Sequence, residues 1–164
     1  RKLEVSSQQG LPSSVKVLYF PQINICMKDE YTSAFYDIVK EATVTTGYQL
    51  PVEVESYVVM LLADKIDSPN FLPTTSFAEE FMKLKRPYRT NAKELGDTCL
   101  FVTGVFPEYG MGIDYYSNLG KASYDMATDT LNIELFSTLS GHFDFIRKFI
   151  NITITPVKTT RWQF

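Results

Sequence analysis

From Met27 to Ile150 the apolar residues recur at steps of three and four, the spacing that lines one face of an α-helix. Met27, Tyr31, Ala34, Phe35, Ile38, Val39 and Ala42 mark a first stripe, which Gly47 stops. Pro51 suits the first turn of a second helix, with Glu53 and Glu55 near its positive end. Tyr57, Val58, Leu61, Leu62 and Ile66 form its inner face, and Ser68-Pro69 ends it. Ser76 and Glu79 read as a capping box ahead of Phe77, Phe81 and Leu84, and Pro87 closes that helix. Asn91 and Glu94 repeat the arrangement ahead of Leu95, Val102, Val105 and Phe106. A helix from Ile113 to Ala127 turns Tyr116, Leu119, Ser123 and Met126 inward. The last stripe starts near Asp129 and carries Leu131, Leu135, Leu139, Phe143, Ile146 and Ile150; Gly141 is placed to bend or split it.

Short links between helices favour antiparallel neighbours, so the expectation is an all-α, single-domain antiparallel bundle of about six helices over residues 27–150. Residues 1–26 read as an irregular arm, with one short strand over Val15–Phe20 stopped by Pro21. Residues 151–164 hold Pro156 and many β-branched side chains, so they read as an extended tail. With 164 residues, 45% of them hydrophobic, the chain can bury a real core.

Sixteen basic against nineteen acidic residues give a net charge of −3, which argues against a dedicated nucleic-acid binder. The longest apolar run, Tyr57 to Ala63, falls well short of the roughly 18 residues of a membrane helix. Arg1-Lys2-Leu3-Glu4 lacks the apolar core of a signal peptide, and Cys26 and Cys99 read as reduced, packed thiols. A cytoplasmic protein is the expectation. Asn151-Ile152-Thr153 fits a glycosylation acceptor, a pattern common by chance.

Candidates for chemistry are few. His142 is the only histidine, and nothing has the spacing of a zinc or di-iron ligand set. No Gly-x-Gly-x-x-Gly or Gly-Lys-Ser/Thr cradle is present, so neither metal nor cofactor is expected. Lys83, Lys85, Arg86 and Arg89 cluster around Pro87 and Tyr88, a pattern that reads first as a solvated helix end and, as the alternative, as a contact for RNA or a phosphate-bearing surface.

The most distinctive stretch runs from Glu94 to Met126. Gly96, Gly104 and Gly120 each cost a helix roughly 1 kcal/mol against Ala, which points to close backbone approach between two helices. Asp97 and Lys121 then fall on neighbouring helices near Tyr115 and Tyr124. Either these groups satisfy one another as a buried polar network, or they line the mouth of a ligand pocket. Asp97, Tyr115, Lys121 and Tyr124 are therefore the candidate ligand- or partner-binding residues, and no catalytic residue is assigned. Tyr116 shares a stripe with Leu119, Ser123 and Met126 and should face inward, leaving Tyr115 nearer the surface.

Leu95-Gly96-Asp97, Leu100-Phe101, Gly104, Phe106-Pro107-Glu108, Asp114-Tyr115-Tyr116 and Leu119-Gly120-x-Ala122-x-Tyr124 resemble a family of helical proteobacterial proteins to which no activity is attached. The similarity extends from Leu50 to the Leu135-Phe136 region and implies an all-helical bacterial fold. Family members tend to close their final helix with a Leu-Asn-Glu-like ending, where this chain has Ile146 to Asn151.

Three function classes follow. The first is a noncatalytic protein–protein interaction module, an adaptor or subunit of a bacterial assembly, binding a protein partner or itself. The alternative is a small-molecule binder with a pocket near Asp97, Tyr115 and Tyr124. The third is an acid–base enzyme using Asp97 with a tyrosine and Lys121.

Overall fold

A computed structural model describes residues 27–84, 91–128 and 132–162. Among them lie seven helices and no strand: α1 (Met27–Thr46), α2 (Val52–Ile66), α3 (Phe77–Leu84), α4 (Ala92–Val105), α5 (Ile113–Ala127), α6 (Ile133–Gly141) and α7 (Phe143–Trp162). The fold is all-α, as the apolar spacing predicts. The arm with its Val15–Phe20 strand, Cys26, and the basic residues Lys85, Arg86 and Arg89 fall outside the described residues.

The last stripe does split. His142 leaves helical geometry between α6 and α7, and its N–H donates back to Ser140 and Thr138 carbonyls. The extended tail is a correction: α7 continues through Pro156 to Trp162. Packing overrides β-propensity here, because Ile150, Thr153 and Ile154 are all buried. The threonines are accommodated by back-bonding: Thr153 Oγ1 donates to the Phe149 carbonyl at 2.8 Å and Thr155 Oγ1 to Asn151 at 2.6 Å. The Asn151 triplet thus sits in a helix with Thr153 buried, unlike the exposed loop that a glycan acceptor needs.

The chain groups into two compact units, Arg1–Asn70 with Phe149–Phe164, and Phe71–Lys148. The second lies wholly inside the expected 27–150 domain, whereas the described part of the first joins residues 27–70 to 149–162 and so crosses the expected boundary at 150.

In the first unit, α1 buries Phe35, Val39 and Ala42, and α2 buries Val54, Val58, Val59, Leu61, Leu62, Ala63 and Ile66. Lys40 on α1 pairs with the nearly buried Glu55 on α2 at 2.6 Å. The link between these helices is tightly built. Gly47 takes a left-handed φ of 71° and its N–H donates to Thr43, ending α1. Thr46 Oγ1 donates to the Ala42 carbonyl at 2.7 Å and accepts the Tyr48 N–H at 3.1 Å. Leu50 is buried and anchors the link before α2 begins.

In the second unit, every residue of α4 from Leu95 to Val105 is buried, so this helix is its centre. α3 opens on the expected capping box: the Glu79 N–H donates to Ser76 Oγ at 3.2 Å and the Ser76 N–H to Glu79 Oε2 at 3.1 Å. Asn91 makes no such side-chain cap on α4, whereas Asn132 Oδ1 accepts the Leu135 N–H at the start of α6. Gly96 of α4 meets Tyr124 of α5, and Cys99 meets Gly120, so α4 and α5 run antiparallel. α6 runs antiparallel to α5 by the same reasoning: Ser140 Oγ donates to the Lys121 carbonyl, and the Phe136 ring lies 5.7 Å from that of Tyr124.

Gly47 has open space where a Cβ would stand, so Gly47→Ala isolates the cost of the left-handed backbone. We expect a loss of about 1 kcal/mol, read as a lower urea midpoint at unchanged slope.

Candidate functional site

The glycine-bearing stretch packs as its composition implies. A Cβ added at Gly96 would lie 2.6 Å from Cδ1 of Tyr124, and one at Gly120 would lie 2.5 Å from the Phe143 ring and 2.9 Å from Cys99 Cβ. Two aromatic rings therefore rest where ordinary side chains would otherwise stand. Tyr124 is fully buried, between Gly96 on one helix and the rings of Phe136 and Phe143.

That ring carries a hydroxyl into the interior, and Asp97 receives it. Tyr124 Oη donates to Asp97 Oδ1 at 2.8 Å, while Lys93 Nζ, one turn earlier on α4, meets Asp97 Oδ2 at 2.6 Å. Lys93 is half-exposed, so the buried carboxylate is neutralised by a cation that keeps water on its other side. Both carboxylate oxygens are engaged within the fold. The Asp97–Tyr124 juxtaposition is as expected; Lys93 is the member that the sequence reading missed, although its four-residue spacing from Asp97 is legible.

Lys121 goes elsewhere. Its Nζ pairs with Asp144 Oδ2 at 2.5 Å, and Arg147 Nε donates to Asp144 Oδ1 at 3.1 Å. The expected Asp97–Lys121 proximity gives way to two separate ion pairs, because Lys121 lies one turn before Tyr124 and faces the start of α7. Lys121, followed by Arg147, holds the Asp144 carboxyl below its ordinary range.

Tyr116 is buried and Tyr115 half-buried, the phase that the Leu119–Ser123–Met126 stripe implies. The two rings meet edge to face at 4.9 Å, and Phe77 packs on Tyr116 at 4.8 Å. Burial raises the Tyr116 phenol, against the Met111 N–H that donates to its oxygen. Gly110, at a φ of 56°, leaves room for that hydroxyl. Tyr115 is thus set apart from the Asp97–Tyr124 pair by its own position on α5, and lies nearer the loop before α5.

Cys99 is buried and its thiol is pushed up to about 12 by burial. At that value the thiolate a nucleophile needs is scarcely populated near neutral pH. Among the described residues no group of three or more His, Cys, Asp or Glu side chains is placed to hold a metal ion, and no helix is long and apolar enough to cross a membrane. No protein-family model, curated protein or solved structure matches the chain.

The arrangement is a clasp between α4 and α5. Tyr124→Phe keeps the ring but strips Asp97 Oδ1 of a buried donor, and should cost about 1–3 kcal/mol of unfolding free energy. Gly96→Ala should cost a similar amount, about 1–3 kcal/mol, by forcing the ring aside. Chemical denaturation of both variants checks the pair; either one unfolding like the parent chain refutes the clasp.

Asp144 sets a pH dependence. Its folded value is depressed, so its contribution is present above the unfolded carboxylate value and is lost as pH falls through the folded one. Asp144→Asn should remove that contribution at neutral pH and flatten the acid limb of the stability profile, measured by thermal melts from neutral pH into the acid range.

Proposed function

We propose that the chain is a noncatalytic helical interaction module, an adaptor or subunit of a bacterial assembly working in the cytoplasm, and that the linked end of α1 and α2 is its contact surface. The observation that carries this reading is a run of exposed apolar side chains along the α1–α2 link. Val44, Tyr48 and Val52 are 85%, 46% and 78% exposed, and all three lie on the stretch of chain where α1 gives way to α2. The Gly47 turn, the Thr46 hydroxyl and buried Leu50 brace this segment against the rest of the unit. Side chains already ordered before binding cost less entropy at an interface, and Tyr brings contact area with few rotatable bonds.

Charge reinforces the point. From Ala42 to Val52 there is no Asp, Glu, Lys, Arg or His, and exposed Glu41 and Glu53 bracket the run. An uncharged centre with a charged rim is the anatomy of a protein contact. The groups best suited to chemistry are meanwhile spent on packing: Asp97 on Tyr124 and Lys93, Lys121 on Asp144, and Cys99 in the interior. The small-molecule reading near Asp97, Tyr115 and Tyr124 has less support, since the Tyr124 ring itself fills the space over Gly96. The resemblance to helical proteobacterial proteins agrees with the bacterial setting proposed and adds no activity.

The test compares the parent chain with a Val44→Ser, Tyr48→Ser, Val52→Ser variant as immobilised bait in extract of the source cells, alongside sedimentation of each alone. The parent should retain a partner or self-associate, and the variant should lose that binding at least tenfold while keeping a helical circular dichroism spectrum. Equal retention by both would remove the surface from the proposal.

A further inference from the structure

No further inference is drawn: the strongest candidate, the uncharged end of the α1–α2 pair carrying Val44, Tyr48 and Val52, is the surface on which the proposed function already rests, and nothing in the structure shows what covers it.

Discussion

The second unit depends on one aromatic side chain placed over a glycine. Tyr124 lies where a Cβ of Gly96 would be, and from there its hydroxyl reaches Asp97. Each half of this arrangement requires the other. Without the glycine the ring has no seat; without the ring the carboxylate loses a buried donor. Gly120 repeats the device with Phe143, so α5 approaches α4 on one side while its own backbone receives a ring from α7. The helix propensity given up at these glycines is offset by apolar area that larger residues would hold apart.

Burial of α4 on every side raises a second requirement, since its sequence is not uniformly apolar. Thr98 donates to the Glu94 carbonyl at 2.9 Å and Thr103 to Cys99 at 2.8 Å, so both hydroxyls find acceptors on the helix's own backbone. Ser123 on α5 does the same with Leu119. Ser117 Oγ is, among the described residues, the buried side-chain atom without a hydrogen-bond partner. Thr98, Thr103 and Ser123 bend back in this way and present methyl or methylene surface outward, which is how a helix with threonines at its centre can sit in an apolar interior.

Much of this was legible in the residues. The three-and-four spacing yields the helices, Ser76 and Glu79 yield a cap, and Gly96 and Gly120 yield a close approach. What escaped the sequence depended on partners distant along the chain. Lys121 was free to reach either Asp97 or Asp144 until the start of α7 was placed beside it. The helix past Asn151 was hidden by Pro156 and its β-branched neighbours, whose local preference is outweighed by burying Ile150 and Ile154. The full burial of α4 was hidden too, because threonine, glycine and aspartate interrupt the apolar stripe and only their pairing reveals that they face inward. The contact surface proposed on α1 and α2 has a local signal, an uncharged run across a helix stop, which reads as an ordinary loop until the exposure of Val44 and Val52 is known.

The enclosure of α4 also governs how its unit opens. A helix with no solvent-facing side from Leu95 to Val105 cannot fray along a wet edge. Its amide hydrogens are released to solvent only when α5 and its neighbours come away together, so their protection follows the free energy of the whole unit's opening. The N-terminal turn of α3, where Ala78 and Glu79 are exposed, can by contrast exchange through opening of its capping box alone. Amide exchange along α4 therefore reports the global stability of residues 71–148.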